Sequence, residues 1–284
     1  MRPISLPGGY DYSFDAPVGA LLTLSTLVAR VLAPNPGPFT FRGTGVHLVG
    51  AGKDVAVIDP GPLRDDHMAA LRAAIGARRV SHILITHTHR DHCEAADALK
   101  AWTGAKTYGF GPQGADSTGE EADDHDFTPD MWLADGDVIA GDGFMLTALH
   151  TPGHASNHLC YALEEERALF SGDHVMGWSS SVIAPPDGDM AAYLASLRRL
   201  IVRGDAIAYP THGGPIREPA AFMTALLEHR LAREREVMAA KARGLTDVAA
   251  LVEAIYPALA PGLRPAAALT VMAHLQKLER CGPG

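Results

Sequence analysis

No stretch of this 284-residue chain approaches the ~20 consecutive apolar residues that a bilayer span needs. The most apolar early segment, residues 18–32, is broken by Thr23, Ser25, Thr26 and Arg30. The N-terminus carries one Arg and then Pro3 and Pro7, with no apolar signal core behind them. These absences predict an unprocessed, cytoplasmic protein with no membrane partner. Cysteine is scarce too. The three, at 93, 160 and 281, have no metal-ligand spacing and cannot all pair, which suits a reducing compartment. Basic excess is missing: 24 Lys and Arg stand against 33 Asp and Glu, a net charge of −9. That balance disfavours nucleic acid as a partner, because phosphate neutralisation drives such binding. There is no Gly-x-Ser-x-Gly elbow and no glycine-rich phosphate loop, so serine hydrolase and dinucleotide chemistry have no support.

What the chain does have is histidine, 14 residues of it, several clustered. Clustered His asks for a metal. The surrounding pattern is α/β. Residues 46–50 and 55–59, split by Ala51-Gly52-Lys53-Asp54, read as a hairpin. Residues 65–77 read as a helix, 80–86 as a buried strand and 93–102 as a short helix. Residues 144–149, 159–163, 168–170 and 206–209 read as strands, and 190–203 as an amphipathic helix. The first ~45 residues give weak structure signals, and 109–130, acidic near 120–126, reads as a loop. After residue ~215 the pattern is almost purely helical, with helices over 218–243, 246–256 and 264–280. The expected division is therefore an α/β catalytic domain over 1–216 and a helical module over 217–284. Leu226, Leu227, Leu231, Val248, Leu251, Ile255, Leu269, Met272, Leu275 and Leu278 are expected to form the module's core.

The informative segment is Thr86-His87-Thr88-His89-Arg90-Asp91-His92, directly after an apolar strand. Extended backbone sends alternate side chains one way, so His87 and His89 share a face. The chain then turns, bringing in Asp91 and His92. Further candidate ligands each follow a strand among small residues: His154 in Thr151-Pro152-Gly153-His154, Asp173 in Gly172-Asp173-His174, and His212 in Thr211-His212-Gly213-Gly214. Five His and two Asp exceed one structural zinc, which takes four ligands. Seven fit a pair of ions with a carboxylate bridge and an open position for water.

With Asp59 closing an earlier strand, this ordered set resembles the metallo-β-lactamase-fold hydrolases over about residues 40–215. The resemblance implies an αββα sandwich. It implies two Zn²⁺ ions, with iron or manganese as alternatives, since His and carboxylate suit several metals. Carried over, it gives His87, His89 and His154 to the first ion, Asp91, His92 and His212 to the second, and Asp173 to both. Asp59 would hold a ligand's geometry from behind. The nucleophile would be a hydroxide shared by the ions, with Asp91 as proton acceptor or as ligand only. A narrower resemblance rests on Tyr209-Pro210-Thr211-His212-Gly213-Gly214-Pro215-Ile216, the charged helix after it, and the closing Ala273-His274-Leu275-Gln276-Lys277-Leu278-Glu279-Arg280. These look like the lactamase-β-like protein 2 group, which carries a C-terminal winged-helix-like module and includes a mitochondrial single-strand endoribonuclease. Here the last predicted helix is followed by four residues, so the wing is expected to be truncated.

Lesser candidates follow. His158 and His174 would donate to substrate or support the ligands from behind. Trp178 and Met176 would wall a pocket or simply pack. Cys93 reads as a small buried residue and Tyr209 as a strand residue. The leading function is hydrolysis of a small ester, thioester or amide. The alternative is a metal-dependent endoribonuclease or phosphodiesterase on single-stranded nucleic acid, for which Arg90, Arg198, Arg199 and Arg203 would form a basic strip. A third reading, a non-catalytic metal protein whose helical tail makes a homodimer, is opposed by the complete ligand set.

Overall fold

The computed structural model describes residues 9–111 and 127–282. Two sheets stack face to face. One runs β1 (Leu21–Thr23), β2 (Val28–Leu32), β3 (Gly45–Val49), β4 (Asp54–Ile58), β5 (Arg79–Leu84), β6 (Lys106–Gly109) and β7 (Met131–Trp132), in that spatial order. The other comprises β8 (Val138–Gly141), β9 (Phe144–His150), β10 (Leu159–Leu163), β11 (Ala168–Gly172) and β12 (Ile207–Pro210), ordered β12-β11-β10-β9-β8. The helices are α1 (Asp65–Ile75), α2 (Arg90–Cys93), α3 (Ala96–Thr103), α4 (Met190–Arg203), α5 (Pro219–Ala242), α6 (Val248–Ile255) and α7 (Arg264–Cys281). None of the described helices is long and apolar enough to cross a membrane.

Strand alternation builds three core layers. On β10, Leu159, Tyr161 and Leu163 face the other sheet, while Cys160 and Ala162 face the helices. Leu84, Phe144, Leu146 and Phe170 fill the space between the sheets. Val46, Leu48, Ile83, Leu71 and Leu99 close the first sheet under α1 and α3. Leu169, Tyr193, Leu197, Phe222 and Leu226 close the second under α4 and α5. The result is the expected αββα sandwich. At one end of it, the chain leaves β4, β5, β9, β11 and β12 through loops that carry all the candidate ligands.

Three features depart from the sequence reading. The first 45 residues hold β1 and β2, whose pattern Arg30 interrupts. The helix expected over 93–102 is two pieces, α2 and α3. Gly61 separates them: its N–H donates to His92 O at 3.1 Å, and its carbonyl accepts from Ala95 N at 3.0 Å. A backbone from the β4–α1 loop thus takes bonds a continuous helix would use. The expected loop over 109–130 begins inside β6, its acidic part at 120–126 lies outside the described residues, and Asp130 is pinned to Thr107.

The tail is helical, and among the described residues after Pro210 it has no strand element. Its core differs from expectation. Val237, Ala240, Leu251, Val252, Ile255 and Val271 form it, with Val248, Leu275 and Leu278 at its edge. Leu226, Leu227 and Leu231 instead join the catalytic core, because α5 is long enough to serve both. Deleting residues 245–284 would expose Val237 and Ala240 and strip Lys277 from buried Glu234, 2.8 Å away. The expected result is a thermal midpoint lowered by about 5 °C or more. An unchanged midpoint with unchanged activity would show the module to be dispensable.

Candidate metal centre

The ligand candidates follow strand ends, and at His154, Asp173 and His212 an adjacent glycine lets the backbone approach. Gly153, with φ +144°, precedes His154; a Cβ there would lie 2.4 Å from Tyr193 Cα. Gly172, with φ +51°, precedes Asp173; a Cβ there would lie 2.5 Å from His158 Nε2. No side chain other than hydrogen fits these positions.

Two triads of donor atoms result. In the first, His89 Nδ1 lies 2.9 Å from His87 Nε2 and 3.2 Å from His154 Nε2. In the second, Asp91 Oδ2 lies 3.1 Å from His212 Nε2 and 3.5 Å from His92 Nε2. Asp173 stands between them. Its Oδ1 is 3.4 Å from His212 Nε2 and 3.5 Å from His92 Nε2, and its Oδ2 is 3.9 Å from His154 Nε2. Ligand atoms on a tetrahedral ion with ~2.05 Å bonds are about 3.3 Å apart. His92 Nε2 and Asp173 Oδ1 are buried and face each other at 3.5 Å, with no well-formed hydrogen bond to either among the described residues. Orphaned buried groups are costly unless something neutralises them. The donor set and its spacing therefore fit bound cations.

The remote ring nitrogens explain why the near ones face inward. His154 Nδ1 donates to Val182 O at 2.7 Å, and His212 Nδ1 to Gly43 O at 3.2 Å. His92 Nδ1 donates to Asp59 Oδ2 at 2.8 Å. Thr86 Oγ1 donates to Asp59 Oδ2 at 2.8 Å, so its oxygen accepts from His87 Nδ1 at 3.0 Å. Each bond fixes a tautomer whose Nε2 lone pair is left for the cluster. Asp59, fully buried with φ +51°, is the hub, and it also accepts from Thr86 N and Thr211 Oγ1. The role expected of it behind the ligands fits this geometry. Thr86 and Thr211 were missed by sequence reasoning; a Thr directly before a candidate ligand His, seen at 86, 88 and 211, was the available signal.

Electrostatics separate the two triads. Burial, then neighbouring imidazoles, keep His87 well below the ordinary His range, and His154 at about 4. Burial also opposes charge on His92 and His212, but carboxylates outweigh it. Asp91, Asp59 and Asp173 raise His92 well above its usual value; Asp173 and Asp91 raise His212 to about 9. Against their own burial, both carboxylates are held low, Asp91 chiefly by His92 and Asp173 chiefly by His212. In the metal-free protein at pH 7 His87 and His154 of the first triad are neutral, whereas His92 and His212 of the second are paired with carboxylates. An ion entering the second must displace protons. Titrating the apoprotein with Zn²⁺ is expected to release more protons with the second ion than with the first. That release should fade as pH rises through about 9. A pH-indicator titration reads it; equal release at both ions would contradict the assignment.

The other sequence candidates fall elsewhere. His158 and His174 are fully buried, which favours the supporting role over contact with substrate. His158 Nδ1 bonds Thr151 Oγ1 at 2.9 Å and its Nε2 accepts from Asp173 N at 3.3 Å, a supporting position. His174 points away, its ring 4.6 Å from Tyr193, with no hydrogen-bond partner on either nitrogen among the described residues. Side chains of adjacent residues diverge where the strand ends. Met176 is buried and packs, whereas half-buried Trp178 stacks on Phe41 at 4.9 Å, beside Gly213. Cys93 is buried and Tyr209 belongs to the inter-sheet core.

The chain is similar to several known proteins. The metallo-beta-lactamase superfamily model matches residues 40–212, and a beta-lactamase associated winged helix domain matches residues 248–282. An atrochrysone carboxyl ACP thioesterase from Aspergillus chevalieri is 36% identical over 228 residues, 79% of this chain and 68% of the relative. A beta-lactamase domain protein from Burkholderia ambifaria superposes with a TM-score of 0.80 at 20% identity, over 96% of this chain and 92% of the other. TTHA1623, solved in a di-iron-bound form, superposes with a TM-score of 0.54 at 28% identity, over 67% of this chain and 95% of the other.

Proposed function

The chain belongs to the metallo-beta-lactamase superfamily, and from that premise we propose that it is a dinuclear zinc hydrolase of an acyl thioester. The observation that carries the two-ion reading is the pair of donor triads with Asp173 between them. His87, His89 and His154 would hold one ion, Asp91, His92 and His212 the other, and Asp173 both. Five imidazoles and two carboxylates without a thiolate suit zinc and also iron or manganese. When bound, such ions polarise a scissile carbonyl and make water acidic enough to attack near neutral pH.

The chain's own residues favour a particular leaving group. As ligands, His87, His89, His92, His154 and His212 would each turn a lone pair inward, and His158 and His174 are sealed from solvent. Among the described residues that would leave a carboxylate, not an imidazole, as the proton carrier for a departing amine. A thiolate, with a pKa near 8.5, leaves without that help. Asp91 is the better placed carboxylate to pass a proton outward: its side chain is 27% exposed, against 10% for Asp173. The thioesterase named among the relatives supports the same substrate class.

The phosphodiesterase reading has less behind it. Arg199 is bonded to Asp135 at 2.7 Å and Arg203 to Asp205 at 3.2 Å, so these cations are neutralised on α4. The test is a panel of acyl thioesters, a lactam, a lactone and single-stranded RNA offered to metal-loaded protein. Thiol release from the thioesters, with the lactam and RNA intact, is the expected outcome. RNA cleavage without thiol release would replace the proposal with a nuclease.

A further inference from the structure

Arg30, in the middle of β2, is 2% exposed, and it has no carboxylate partner among the described residues. Burying a guanidinium is costly, and charged side chains are almost never buried without a pair. Its bonds say what it is for. Nη1 donates to Gly213 O at 2.6 Å and Nη2 to Thr211 O at 3.0 Å. These two carbonyls bracket His212. The planar fork of an Arg reaches two acceptors at once from one rigid group.

The turn it grips is intrinsically loose. Gly213, at φ +93°, and Gly214 follow His212 directly, and neither has a side chain to restrain it. Thr211 O also accepts from Gly45 N at 2.8 Å, so both its lone pairs are engaged from the β2–β3 side. Fixing this carbonyl fixes the peptide plane that enters His212. Fixing Gly213 O closes the turn behind it. Room for the guanidinium is built in opposite: a Cβ on Gly45 would lie 2.0 Å from Arg30 Nε. The Phe14 ring lies 5.0 Å from the guanidinium carbon.

We infer that Arg30 is a positioning residue for the metal centre: it clamps the Thr211–Gly213 turn so that His212 presents Nε2 to the second ion. Arg30 touches neither ligand ring nor substrate. Its effect falls chiefly on the Asp91, His92 and His212 triad, since the two carbonyls it grips flank His212, whereas His87, His89 and His154 hang from other loops. The inference rests on His212 being a ligand, as proposed above.

The experiment compares Arg30→Met, Arg30→Lys and His212→Ala with the wild type. Each apoprotein is titrated with Co²⁺, whose visible spectrum reports each ion as it binds, and its thermal midpoint is measured without metal. Arg30→Met is expected to weaken the second ion by about 10–100-fold, the range for groups that orient a ligand from behind. The first ion should bind as in the wild type. Arg30→Lys keeps the charge but not the planar fork, and should also weaken the second ion selectively. If Arg30→Met does not fold, Arg30→Lys decides. Wild-type binding of both ions by the folded Arg30 variants, or equal weakening of both ions along with a lowered apoprotein midpoint, would overturn the inference. Two-ion binding by His212→Ala would instead overturn the ligand reading beneath it.

Discussion

Asp173→Asn is expected to give a folded protein that no longer retains two ions and has lost hydrolysis. The side chain has one oxygen toward each triad, 3.4 Å from His212 Nε2 and 3.9 Å from His154 Nε2. A bridging carboxylate supplies bonds to both cations and lowers their mutual repulsion. Asn keeps the volume and removes the charge. Altering a group that merely orients a ligand costs 10–100-fold, so altering a shared ligand should cost activity more than about a hundredfold. Folding should survive, because the three core layers are apolar and independent of that charge. The rival role is structural: Asp173 would only shape the turn after β11, where Asn also serves. Metal analysis and thermal unfolding on one Asp173→Asn sample separate the two. Full two-ion occupancy with wild-type turnover would remove the bridge from the mechanism.

The centre was legible because its signals are local. His87 to His92 spell out their geometry within six residues, and His154, Asp173 and His212 each announce themselves beside glycines that close approach demands. The long helices α4 and α5 were legible from periodicity alone. What sequence order could not carry is what a distant segment imposes. The break between α2 and α3 is made by Gly61, 29 or more residues upstream, and Arg30 acts on a turn 181 residues away. His174 failed for the opposite reason. It is next to Asp173 in sequence, but divergence at the strand's end sends it toward Tyr193 on α4. The tail's core was misjudged because α5 changes partners along its length, Leu226 meeting α4's layer and Val237 meeting α6 and α7.

Asp59→Asn is expected to disable the second triad from behind without touching an ion. Asp59 accepts four bonds and donates none: from Thr86 N at 2.8 Å, Thr86 Oγ1 at 2.8 Å, Thr211 Oγ1 at 3.1 Å and His92 Nδ1 at 2.8 Å. An amide has one acceptor oxygen and one donor nitrogen in the same space. If the nitrogen takes the Oδ1 position, it meets the Thr86 N–H, and two buried donors face each other at a cost of about 1–3 kcal/mol. If it takes the Oδ2 position, it meets His92 Nδ1, which can satisfy it only by giving up its own proton. The imidazole then carries its proton on Nε2, the atom that should offer a lone pair to the second ion. Either orientation also withdraws one of the carboxylates that raise the His92 pKa. The second ion should therefore bind about 10–100-fold more weakly, and the first should weaken less, because Asp59 reaches His87 only through Thr86 Oγ1. Nitrogen-15 NMR of the imidazoles reads the tautomer of His92 directly, and metal titration of the same sample reads its consequence. If His92 keeps its proton on Nδ1 and both ions bind as in the wild type, Asp59 is not the group that aims this ligand.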